Sequence, residues 1–414
     1  MSVARLASRD FDARVRAQLP MLLKTSRKSG GRLLTSKSLV DEYVAKEMSR
    51  REMVQKVMLG SLGAGLAACT TTTVKEEKTP APGTETPGTG ENPGGETTDP
   101  AAGKHLVGLG YDAADRNAAL EAALKETIGL GMIKAGQSVY LRINANSGDP
   151  YPYSTSPDTL KAIGGMLRDI GVEDIRVGDR SFWGDPDTAG NLTANGMTAA
   201  AKAIGTTAEV YDDSVDWVEL PANSVPNWTG TVRLPAPVTT ADHMIILSVV
   251  KTHFISQITM SLKISLGLVH ADDRKRTGNL ATHDTKVLYK QIAQINKGFT
   301  PSLIVHDGYK AIISGGPTVA DKPPGAPAGW KGGVVGDPKI FIVSTDRIAA
   351  DVGGIAVLQT ASPDYELVTK TAPFENPQIK AAVAAGLGIG SAAEWDAAGP
   401  TVPNFDEIKA KVTG

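Results

Sequence analysis

From Lys104 onward, strand-like apolar runs alternate with helical patterns, and this alternation limits the fold more than any other feature. "HLVGLGY" (105–111) reads as a strand, and "DRNAALEAALKETIG" (115–129) repeats Leu120, Leu124 and Ile128 at helical spacing. "SVYLRINAN" (138–146) returns to a strand. In "STSPDTLKAIGGMLRDIG" (154–171), Ser156 is an N-cap, Pro157 takes the first helical position and Gly171 closes the helix. Strand "DIRVGD", helix "NGMTAAAKAIG" and strand "TAEVYDD" follow. The second half reads strand "HMIILSVV", helix "ISQITMSLKISLG", helix "HDTKVLYKQIAQIN", strands "SLIVHDG" and "KIFIVSTD", then helix "RIAADVGGIAVLQ". Such an order predicts an α/β domain over 104–414, with a largely parallel sheet and helices on both faces, in one unit or two lobes.

The preceding hundred residues are of another kind. "MSRREMVQKVMLGSLGAGLAAC" (Met48–Cys69) places Arg50-Arg51 before a short, Gly-interrupted apolar run. Twelve residues rise roughly 18 Å as a helix, well short of a ~30 Å hydrocarbon core, so the run reads as a signal peptide over 48–68. Ser49–Met53 resembles the twin-arginine (Tat) export motif, and Leu66-Ala67-Ala68-Cys69 resembles a bacterial lipobox. That resemblance implies the Tat machinery as a partner, lipidation of Cys69, and a protein anchored to the cell envelope on its periplasmic or cell-surface side. Residues 69–103, rich in Thr, Pro and Gly with one Val, bury too little to order themselves and read as a tether. Residues 1–47 read as an extension ahead of the true start, with Met48 as initiator.

Residues 1–68 hold 13 Lys/Arg and 6 Asp/Glu, leaving 30 against 39 in the remainder. A mildly acidic body argues against a nucleic-acid partner. Cys69 is the single cysteine, which rules out an internal disulfide and a four-cysteine cluster. No phosphate-cradling glycine fingerprint, serine nucleophile elbow or His-Glu-x-x-His occurs.

Several strands end in charge. Asp179, Asp212, Asp307 and Asp346 each follow an apolar run, and the run from Met244 ends in Lys251-Thr252-His253. Ligands of open parallel sheets bind beyond the strands' carboxyl ends, so carboxylates and a cationic pair are expected on one edge. For Asp346 and Asp179 the competing reading is a helix cap. Lys251 and His253, two apart on a strand, point to one side and suit a proton or an anionic ligand. Lys263 follows on a helix, among apolar neighbours. Five of six histidines lie between 243 and 306; His270 and His283 are candidate metal ligands, while His306 also reads as a hydrogen-bonded core residue and His243 as a surface partner of Asp242. "DRKRTGN" (273–279) reads as a solvated loop, or as a lid on an anion.

The blocks "VGDRSFWG", "ADHMIILSVVKTH", "ITMSLKISLGLV", "PSLIVHDG", "GGP" and "STDRIAADVGG" resemble the DUF362 family of α/β proteins, in order over 104–370. Two departures stand out. "RINAN" (142–146) replaces a Lys-Pro-Asn frequent in the family, and the ferredoxin-like cysteines of some members are missing, so no iron–sulfur cluster is expected. The spacing His253, Lys263, Gly267 is also similar to the N-terminal domain of nickel-pincer lactate racemases, in which lysine holds the cofactor and histidines shuttle protons. The glycine-rich setting of that motif is absent here.

The reading that follows is an exported, lipid-anchored protein acting on an anionic small molecule in an edge cleft. Lys251, His253 and Lys263 would handle charge and protons, with Asp179 and Asp307 orienting them or a metal. A non-catalytic binding lipoprotein and an envelope scaffold are the alternatives. Cofactor and substrate stay unassigned.

Overall fold

The computed structural model describes residues 105–414 except 183–184, 186, 213–214, 277, 280–283 and 321–330. The twin-arginine pair Arg50-Arg51, Cys69, the tether and His283 lie outside the described residues. Strands β1 (Val107–Tyr111), β2 (Ser138–Arg142), β3 (Asp174–Asp179), β4 (Ala208–Val210), β5 (Trp217–Glu219) and β6 (Arg233–Pro235) occupy the first half. β7 (His243–His253), β8 (Gln257–Ile258), β9 (Leu303–Ser314), β10 (Val334–Gly336), β11 (Ile340–Ser344) and β12 (Ala397–Ala398) follow. The main sheet runs β12-β1-β11-β9-β7-β2-β3-β4, with β10 on β9 and β8 on β7, while β5 and β6 pair separately. The described residues fall in one compact unit.

Period-two alternation sends side chains to two cores. Val139, Leu141, Ile245, Leu247, Leu303 and Val305 face the helices Arg116–Glu126, Pro157–Ile170 and Met197–Ala203. Tyr140, Met244, Ile246, Ile304 and Ile342 face those at Thr285–Asn296, Arg347–Ala361 and Phe405–Thr413. The Arg347–Ala361 helix is buried from Arg347 through Gln359, as a helix apolar on all sides should be. The glycines of "VGLGY" serve packing: a Cβ on Gly108 or Gly110 would lie 2.2 or 2.0 Å from the carbonyl oxygen of Ala123 or Ala119. Backbone contact with the first helix therefore needs glycine at both positions.

Three expectations change. β11 runs antiparallel to both β1 and β9, so Asp346 emerges at the opposite end of the sheet from Asp179 and Asp307. There it caps a helix, accepting from the Ile348 and Ala349 amides at 2.8 Å, and it also holds the Ile389 amide. The segment after His253 first turns back as β8, and its helix spans only Met260–Ile264 before a 3-10 turn to Leu268. Positive φ at Gln257 (66°) and Met260 (41°) is incompatible with a continuous helix. "DRKRTGN" begins inside a helix, Ala271–Lys275, rather than a solvated loop.

Candidate functional site

β7 outruns its neighbour: Arg142 at the end of β2 pairs with Ile246, leaving seven more residues of β7 before it ends at His253. The chain after β2 folds against this projection. Thr155 Oγ1 donates to the Leu247 carbonyl at 2.6 Å, and Lys251 Nζ donates to the Tyr153 carbonyl at 2.5 Å. Lys251 is only 2% exposed. Burial pushes its ammonium down to about 7; the neighbouring positive charge of Lys263 adds to this, and Asp149 and Asp179 oppose it. Lys263, partly buried, is pushed down to about 8 by burial.

A buried polar chain fixes the turn that carries Lys263. Asp351 accepts from the Ser261 amide (2.9 Å), the Ser261 hydroxyl (2.5 Å) and the Leu262 amide (3.2 Å). His306 Nε2 lies 2.9 Å from the same carboxylate, and its Nδ1 lies 2.5 Å from Ser248 Oγ. Ser248, His306 and Asp351 are all buried, which makes this a structural clamp and bears out a hydrogen-bonded core histidine. Asn296 holds the far end, donating to the Leu262 carbonyl at 2.9 Å and Ser265 Oγ at 2.8 Å.

Beneath the turn lies a buried ion pair. Arg142 Nη1 stands 2.7 Å from Asp179 Oδ1, and Asp179 also takes the Ala145 and Arg180 amides at 2.6 and 2.7 Å. Asp179 is therefore no helix cap. Arg142 further donates to the carbonyls of Ile143 and Ile264, the latter in the turn of Lys263. A Cβ on Gly267 would meet both Arg142 Nη2 and Asp179 Oδ1 at 2.4 Å, so the turn can rest on the pair only with glycine there. Arg180 donates to the Asp185 carbonyl (2.8 Å) and Thr188 Oγ1 (2.6 Å). Among the described residues, buried Arg274 makes one bond, to the Ser181 carbonyl at 3.3 Å, and leaves Nε unpaired. Burial pushes it down to about 9, and Asp179 opposes that.

Five basic side chains (Arg142, Arg180, Lys251, Lys263 and Arg274) thus interact around two carboxylates, Asp179 and Asp149. Asp179 is bound to Arg142, and Asp149 accepts from Ser147 Oγ at 3.1 Å.

The sequence-derived candidates divide accordingly. Lys251, Lys263 and Asp179 come together. His253 closes a tight turn instead: its Nδ1 accepts the Ile255 and Ser256 amides at 3.1 and 3.3 Å, which places the ring proton of the neutral form on Nε2. Asp307 belongs to a separate cluster, in which it takes Arg116, Thr159 Oγ1 (2.6 Å), Tyr151 Oη (2.7 Å) and the Tyr309 amide (3.1 Å). His270 Nδ1 lies 3.0 Å from Arg233 Nη2 and accepts the Asp272 amide, so that nitrogen is engaged with donors. His243 bridges Ser302 Oγ and Gln137 Oε1; burial disfavours its protonated form, and the charge of Asp242 beside it opposes this more weakly. Among the described residues, no three His, Cys, Asp or Glu side chains group as metal ligands.

Sequence reasoning missed Arg142, Arg274, Asp149 and Asp351. No local signal marked them: Arg142 ends a short strand like any other residue, and Arg274 sits in the polar segment "HADDRK". A surface cavity of about 250 Å³ between Ile313, Ile340, Val357 and Ile408 has Asp337 as its single titratable lining residue and offers no comparable chemistry.

No curated protein and no solved structure matches the chain. A family model does match, over residues 139–356, more than half of the chain and a span that includes every member of the basic cluster. The chain therefore belongs to the family described as Domain of unknown function (DUF362).

Proposed function

We propose that this DUF362 protein is an enzyme that takes an anionic small molecule, carboxylate or phosphate in character, at its basic cluster. One observation carries the reading: five basic side chains surround two carboxylates in a mostly buried setting. Buried cations without counter-ions are costly, and a bound anion would offset that cost. Lys263, Arg274 and Arg142 Nε have hydrogen-bonding capacity to spare among the described residues; Arg142 is already tied to Asp179, so Lys263 and Arg274 supply the anion's main partners. Lys251, with its pKa near 7, can hold or release a proton at neutral pH. His253 shapes the turn and does not shuttle protons, since a proton on Nδ1 would displace two amide bonds. Asp179 orients Arg142.

Native mass spectrometry of the mature protein from its own envelope should find a retained anionic molecule, and the double variant Lys263→Met/Arg274→Met should lower its occupancy about tenfold or more. Protein that carries no such molecule, and whose two lysines ignore added phosphate, would remove the proposal. With the ligand in hand, Lys251→Met should cut kcat about 100-fold while changing affinity far less. Equal losses in both would mark a non-catalytic binder.

The twin arginines and lipobox support export and anchoring through Cys69. No helix among the described residues is long and apolar enough to cross a membrane. Cys69→Ser should abolish metabolic labelling with palmitate, and a variant that stays labelled would contradict the anchor.

A further inference from the structure

We propose that Lys263 is a covalent site, whose amine condenses with the carbonyl carbon of a small aldehyde or 2-oxo acid held by its acid group in the basic cluster. The inference rests on the anion-binding reading of this site and names the ligand class.

The two lysines are not equivalent. Lys251 is 2% exposed and its Nζ is committed to the Tyr153 carbonyl. Lys263 is partly exposed, and its ammonium has no hydrogen-bond or ion-pair partner among the described residues. Other lysines do find partners: Lys161, Lys275, Lys370 and Lys380 each pair with a carboxylate, and Lys339 lies over the Tyr309 ring. The charged groups packed around Lys263's turn offer no counter-ion. From β7 come Lys251 and His253, and from β2 comes Arg142; Asp179 at the end of β3, against Gly267 of the turn, is taken up by Arg142 and by the Ala145 and Arg180 amides. His306 on β9 is bonded to Ser248 and Asp351. On the Arg347–Ala361 helix, Arg347 donates to the Asn296 and Phe299 carbonyls, and Asp351 is filled by Ser261, Leu262 and His306.

An amine beside fixed positive charge, held rigidly and lacking a carboxylate to keep it protonated, is an activated nucleophile. Burial pulls Lys263 down to about 8, so roughly a tenth of it is neutral at pH 7. That neutral amine attacks the carbonyl carbon. A C–N bond forms as the nitrogen passes one of its protons to the carbonyl oxygen, and the carbinolamine then takes up the proton that the ammonium had released and expels water. The iminium left behind carries one positive charge, as the ammonium did, so the charge of the site is unchanged and no oxidant or reductant enters.

The test uses the mature, ligand-free protein with glyoxylate and cyanoborohydride, which reduces any imine to a stable carboxymethyl-lysine readable by peptide mass mapping. Lys263 should be modified about tenfold faster than any other lysine, inorganic phosphate should protect it, and Lys263→Arg should remove the fast site while leaving slow surface labelling unchanged. Labelling that tracks surface exposure, with Lys263 among the slow sites, would overturn the covalent role. If phosphate still shifts the titration of Lys251 and Lys263 in that case, the anion site stands without it. If phosphate shifts neither, both readings fall.

Discussion

Asp179→Ala is expected to destabilise the domain by about 3–5 kcal/mol, the usual cost of leaving one half of a buried ion pair behind. Arg142 and Asp179 are nearly inaccessible, 2.7 Å apart, and Arg142 already has an unpaired Nε. Deleting the carboxylate also removes the acceptor for the Ala145 and Arg180 amides. Arg142 would be left as an unpaired cation among Lys251, Lys263 and Arg274. Urea unfolding reads the effect as a lower midpoint at unchanged slope. A loss below about 1 kcal/mol would mean that the pair is solvated, and that the turn of Lys263 does not rest on it.

Lys251→Met should do the reverse and stabilise the protein at pH 7, by roughly 3 kcal/mol after allowing about 1 kcal/mol for the orphaned Tyr153 carbonyl. The sign comes from linkage. Lys251 titrates near 7 in the folded protein and near 10.5 when unfolded, so between those values the unfolded chain binds more protons. Native stability should therefore rise with pH from about 7 towards 10. Lys263 contributes from about 8 and Arg274 from about 9. Above about 10, buried Tyr140 and Tyr211, whose phenols burial pushes up, turn the trend over. Lys251→Met should flatten the rise, so that the gap between variant and native protein closes by about pH 10. A variant less stable at pH 7, with the slope intact, would show Lys251 to be an ordinary paired cation. A stabilising change that removes turnover is what a site kept for function, at some cost in stability, should give.

Much of this was legible along the chain, because helices and strands announce themselves through local periodicity. Ser156, Pro157 and Gly171 bound their helix as read, and Asp346 caps its own. Lys251 and Lys263 stood out as cations in apolar surroundings. Strand direction, by contrast, is not written in a buried run: "IFIVS" would look the same parallel or antiparallel, which is why Asp346 was placed on the wrong edge. Arg142 and Arg274 were invisible for a related reason. Each is recruited by contacts distant in sequence, Arg142 by Asp179 and the Ile264 carbonyl, Arg274 by Ser181. Asp307 looked like a member of the site because the apolar run "SLIV" stops near it, yet β9 continues to Ser314 and Arg116, from the first helix, claims it. Composition around Asp307 carries no trace of that partner.

The central claim is that Lys251 and Lys263 share one positively charged site built for an anion. NMR titration of protein carrying ¹³C-labelled lysine tests it directly, because each Cε shift reports its own ammonium. Lys251 should titrate near 7, move upward when Lys263 is replaced by Met, and move upward again when phosphate is added. Two lysines that titrate near 10.5, unmoved by each other's removal and by phosphate, would contradict it.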